Sequence, residues 1–95
     1  MIQSLNIRIA YPDDRAALER LATLDARPLP SEPLLVAEAD GELWAAVSRR
    51  SGAAVADPFR PSGALVDLLH ARRAQLDAAR APTRLRRVTA ALRFA

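Results

Sequence analysis

The sequence has no cysteine and no lysine, and only one histidine, one tryptophan, one tyrosine and two phenylalanines among 95 residues. Without cysteine there is no disulfide framework, no thiolate metal ligand and no thiol nucleophile. Without lysine there is neither Schiff-base chemistry nor a phosphate-loop lysine. With His70 the sole imidazole, a histidine-based metal site or a Ser-His-Asp triad has little to draw on. Long apolar runs are missing too. The chain passes from Met1 directly to Gln3 and Asn6, so neither a signal peptide nor a membrane span is expected, and the default location is cytoplasmic.

All 14 cationic residues are Arg. Together with abundant Ala, that is the whole-chain trend a GC-rich coding bias produces. The length suits one domain, which buries roughly 60–68% of its unfolded surface and can hold a core without staples. Charge is segregated along the chain. Every Asp and Glu lies between Asp13 and Asp77, which leaves residues 1–77 mildly acidic, whereas Arg80, Arg84, Arg86, Arg87 and Arg93 stand beyond them with no acid. The reading divides the chain into an α/β domain over 1–80 and a basic segment over 81–95.

Leu5, Ile7 and Ile9 alternate with Asn6 and Arg8, as in a strand with one better-buried face. Pro12 suits a first helical position, and Asp13 and Asp14 place negative charge at the helix's positive end. Ala17, Leu18, Leu21 and Leu24 continue at helical spacing to Arg27, before Pro28 and Pro30. Asp40-Gly41 between two apolar runs is a two-residue hairpin signature, because both central residues must take positive φ. That turn pairs Val36 with Ala45 and Leu34 with Val47 on one face, and Leu35 with Ala46 and Ala37 with Trp44 on the other. Both faces are apolar, so the sheet is expected to be covered on two sides, with Trp44 under a helix. Ser51-Gly52 makes a second turn and Ala53 to Asp57 a further strand. Leu65, Leu68, Leu69 and Leu76 mark a helix to about Arg80. His70 falls opposite that Leu stripe, as a solvated side chain. Residues 83–95 fit both a strand alternation and a helical stripe.

This order of strand, helix, meander, loop and helix resembles the N-terminal half of GNAT N-acetyltransferases. Ile7-Arg8-Ile9-Ala10 with Pro12-Asp13-Asp14 is similar to the family's opening strand and helix. Residues 35–43 are similar to its second strand and hairpin, and Val55-Ala56-Asp57-Pro58-Phe59-Arg60 to the strand end where the acetyl-CoA loop begins. The resemblance spans roughly residues 4–80. It implies an α+β half-fold, a mostly antiparallel sheet of three to four strands with helices on both faces. It also implies an acetyl-CoA loop at Arg60, Ser62 and Gly63, where the family reads Arg/Gln-x-x-Gly-x-Gly/Ala. Here Arg60 and Gly63 are kept, Leu65 replaces the second small residue, and Pro61 removes a donor. Some members place a general base near the hairpin, where this chain has Glu38 and Glu42, beside a solvated turn. The family's sixth and seventh strands have no counterpart, and Tyr11 is not where its tyrosine acid stands. The expectation is a truncated, non-catalytic module for binding or self-association, a homo-oligomer that closes its open sheet edge. The alternative is an acetyl-CoA-dependent N-acetyltransferase completed by a second chain or copy.

A second alternative rests on the tail. Arg84, Arg86, Arg87 and Arg93 with Leu85, Val88, Leu92 and Phe94 form a basic amphipathic segment suited to anionic lipid or to a nucleic-acid backbone. The bland counterpart is a solvated extension or a strand completing the sheet. Replacing Arg84, Arg86 and Arg87 by Gln is expected to weaken binding to anionic vesicles or RNA and to flatten its salt dependence, while residues 1–80 stay folded. Vesicle co-sedimentation and thermal melting measure the two parts. Melting of the whole domain would place the tail in the core instead.

Overall fold

The computed structural model describes residues 2–79. The helix end expected near Arg80 and everything read from residues 81–95, Arg84, Arg86, Arg87 and Arg93 included, lie outside them. The elements are β1 (Leu5–Ile9), a 3-10 turn (Pro12–Asp14), α1 (Arg15–Leu24), β2 (Leu34–Ala39), β3 (Glu42–Ser48), β4 (Ala54–Ala56) and α2 (Gly63–Ala79). The strands form one antiparallel sheet in the order β1-β2-β3-β4. The fold is therefore α+β, with four strands and a helix on each face.

The two helices bury separate apolar clusters. On one face Leu18 and Leu21 of α1 pack with Leu34, Val36, Leu43, Ala46 and Val55. On the other, Leu65 and Leu69 of α2 pack with Leu35, Ala37, Trp44, Ala45 and Val47. Each fully buried Leu or Val contributes roughly 1.5–3 kcal/mol relative to exposure. β2 and β3 thus form the middle of the molecule and are buried on both faces.

Beside the turn the hairpin follows the expected register, with Ala39 opposite Glu42 and Glu38 opposite Leu43. Asp40 (φ +50°) and Gly41 (φ +86°) supply the two left-handed residues. Further along, the pairing shifts by one: Ala37 faces Ala45, Val36 faces Ala46, Leu35 faces Val47 and Leu34 faces Ser48. The expected pairs of Val36 with Ala45, Leu34 with Val47, Leu35 with Ala46 and Ala37 with Trp44 are therefore displaced. A β-bulge is the cause, since it sets two residues of β3 against one of β2. Trp44 and Ala45 consequently lie on the same side, in the α2 cluster, while Leu43 and Ala46 join the α1 cluster.

The first helix also departs from expectation. Pro12–Asp14 form a 3-10 turn, and α1 ends at Leu24 rather than Arg27. Ala26 takes φ +52°, its N–H donating to the Thr23 carbonyl while the Arg27 N–H donates to that of Ala22. That is a Schellman stop, which satisfies the last carbonyls two residues before Pro28 arrives.

Arg8 fastens β1 to the start of α1 and to β2. Its guanidinium donates to Asp14 at 2.7 and 3.0 Å and to Glu38 at 3.2 Å, and lies over the Tyr11 ring at 4.7 Å. Asp14 also accepts the Tyr11 N–H at 2.6 Å, closing the helix start. The Arg8 hydrogen bond, followed by that from Tyr11, holds the Asp14 carboxyl below the usual carboxylate range against the opposing effect of burial. A carboxyl lowered in the folded state stabilises above its unfolded pKa, near 4, and loses that contribution as pH falls through the folded value. Asp14→Asn is expected to cost about 2 kcal/mol near neutral pH in urea unfolding. The difference from the parent should narrow as pH falls below about 4 and the Asp14 carboxylate is protonated. A gap that is constant across the acid range would mean that the carboxylate's charge is not used.

Candidate functional site

The residues carrying the acetyl-CoA resemblance sit on the connection between β4 and α2. Asp57, directly after β4, is buried and organises the loop. Its Oδ1 accepts the Phe59 N–H at 2.9 Å, and its carbonyl accepts the Ser62 hydroxyl at 2.9 Å and the Arg60 N–H at 3.3 Å. Asp-Pro at 57–58 favours such a side-chain-to-backbone turn, because an Asx side chain mimics a backbone acceptor. Pro61 brings Ser62 back on itself, so that the Ser62 N–H donates to the Arg60 carbonyl at 2.7 Å. The Ser62 carbonyl then receives the Val66 N–H at 3.0 Å, and α2 begins.

Arg60, Ser62 and Gly63 are therefore brought together at the helix start, but their polar groups are used within the protein. Arg60 Nη2 meets Glu42 at 2.8 Å, its Nε lies 3.6 Å from Asp57 Oδ2, and its guanidinium covers the Trp44 ring at 4.8 Å. Two carboxylates and an aromatic face thus hold the one cation that a phosphate would need. The Ser62 hydroxyl donates to Asp57 and is buried. Leu65 is turned into the α2 cluster, 4% exposed, which deepens the helix's apolar stripe as its size suggests. Gly63 has a helical backbone with open space where a Cβ would stand.

The hairpin acids are paired. Glu38 meets Arg8 and Glu42 meets Arg60, so each is an ion-pair partner, not a lone carboxylate beside the turn. Trp44 is buried beneath α2 as expected, and His70 is exposed. Phe59 protrudes at the head of the loop, 82% exposed. The sequence reading missed Asp57 as the loop's organiser, although the Asp-Pro step signals it. It also missed the stack of Arg60 on Trp44, for which the bare spacing of 16 positions carries no signal.

Among the described residues no group of His, Asp or Glu could hold a metal ion, and no helix is long and apolar enough to cross a membrane. Comparison with protein-family profiles, with curated proteins and with solved structures returns no match.

Trp44 is the sole tryptophan, so its fluorescence reports this loop directly. Arg60→Gln should shift its emission to the red by uncovering one ring face. The loss in stability should be about 1 kcal/mol, because the pairs are partly exposed. An emission maximum identical to the parent's would show that the guanidinium does not shield the ring in solution.

Proposed function

We propose that this chain is a non-catalytic, GNAT-like module for binding and self-association, and that a second copy adds along the outer edge of β1. The observation that carries this reading is the condition of the two sheet edges. β1 has five residues and, among the described residues, pairs on one side only, with β2. Ala10 N–H donates to Leu34 and Ser4 accepts from Asp40, so the even-numbered residues bond inward. By the antiparallel alternation, Leu5, Ile7 and Ile9 then direct their N–H groups and carbonyls outward. Only the Ile9 carbonyl has a donor there among the described residues, Arg8 Nη1 at 3.3 Å. Leu5 and Ile9 add exposed apolar side chains, at 43% and 41%.

β4 is the poorer edge. It has three residues, and the outward N–H of Ala56 is taken by Asp25 Oδ2 at 3.1 Å. A carboxylate laid along a short strand discourages strand addition. The open edge expected at the fourth strand is thus better assigned to the first. Two β1 strands can pair antiparallel about Ile7, setting Leu5 of each copy against Ile9 of the other, which is a closed, self-complementary contact. The commitment of Arg60 to Glu42, Asp57 and Trp44 supports the non-catalytic half of the reading.

Sedimentation at micromolar concentration is expected to find a dimer, and Leu5→Lys with Ile9→Lys to convert it to a monomer with little change in melting temperature. A parent that is strictly monomeric, or a double variant that still dimerises, would sink the edge assignment. Calorimetry with acetyl-CoA addresses the other half. Saturable heat at millimolar cofactor would favour the acetyltransferase completed by a second copy.

A further inference from the structure

At the end of the sheet away from the Arg60 loop, the chain encloses a cleft of about 640 Å³. It lies where β1 gives way to Tyr11, beside the start of α1, the 28–33 connector and the turn after β3. Its accessible apolar surface comes from Pro12, Leu29, Pro33 and the Tyr11 ring, while Leu18 and Leu34, nearly fully buried, close the bottom onto the α1 cluster. Tyr11, Arg15, Glu32 and Arg50 stand around it. The volume is in the range of a small-molecule site, and the lining is divided almost evenly between polar and apolar surface.

The polar groups are unbalanced. Arg15 engages Glu19 through Nε alone, at 3.0 Å, so its terminal nitrogens keep their donors. Arg50 uses only its backbone, donating to the Ser48 hydroxyl and accepting from Arg73, and its guanidinium has no hydrogen bond or ion pair among the described residues. A guanidinium offers five donors and no acceptor, so a ligand here must bring acceptors. A carboxylate matches the guanidinium fork in shape and in charge. Glu32 on the same lining offsets one of the two cations, so a ligand with a single negative charge is favoured over a phosphate or a dicarboxylate.

We propose that this cleft binds a small monocarboxylic acid with an apolar body, its carboxylate on Arg50 and Arg15 and its body on Pro12, Leu29 and Pro33 beside the Tyr11 ring. The site is independent of the β1 edge and of the Arg60 loop, and stands whether or not the chain dimerises.

The test titrates three probes sharing one body, 4-phenylbutyrate, 4-phenylbutan-1-ol and 4-phenylbutylamine, into isotopically labelled full-length protein while amide resonances are followed. The acid is expected to bind saturably in the millimolar range or tighter, with shifts gathered on Ala10, Tyr11, Leu18, Leu29, Leu34 and Arg50. It should bind at least about tenfold tighter than the amine. Arg50→Gln should abolish that preference yet leave the alcohol's affinity unchanged, which shows the cleft intact, and Arg72→Gln, on the exposed side of α2, should alter neither. An amine that binds as tightly as the acid would overturn the proposal. So would shifts centred on α2 or β4, an Arg50→Gln variant that keeps the preference, or no saturation by about 20 mM.

Discussion

The β2–β3 hairpin is apolar on both faces, and neither face can be left to water. Burial of Leu34 and Val36 on one side, and of Leu35, Ala37 and Val47 on the other, requires a layer above and a layer below. α1 supplies the first and α2 the second, so the two helices are placed by the strands they cover. The bulge at Trp44 sets which residues of β3 share a side: beyond it Ala46 joins Leu43 in the α1 cluster, and Val47 joins Trp44 and Ala45 in the α2 cluster.

Around this frame the acids act mostly as ties for backbone and Arg. Asp14 closes the start of the first helix and receives Arg8. Asp25 takes an outward N–H from β4, and Asp40, besides forming the hairpin turn, accepts the N–H groups of Gln3 and Ser4. Asp57 shapes the approach to α2. At the far end of α2, Arg73 Nε donates to the Arg49 carbonyl at 2.9 Å and Arg49 meets Asp77, fixing the helix to the β3–β4 turn. The Arg50 guanidinium has no such partner among the described residues and lines a cleft of mixed polar and apolar surface.

The element order, both turns and the two-sided burial were legible in the sequence, because alternation, a 3.6-residue stripe and an Asp-Gly pair are local signals. The GNAT-like reading also rests on that order. The acids' partners were not legible, since Arg8 to Glu38 and Arg60 to Glu42 span 30 and 18 positions that only the sheet brings together.

The sequence by itself determined which residues would be strand, turn and helix, and that both faces of the hairpin would be covered. Only the tertiary structure decided the register beyond Leu43, which sheet edge is blunted, and that Arg60 is held by Glu42, Asp57 and Trp44. The physical reason is common to all three. A bulge, a carboxylate over a strand edge and a cation on a ring are each settled by groups distant in sequence competing for the same space and charge. Local periodicity contains no term for that competition.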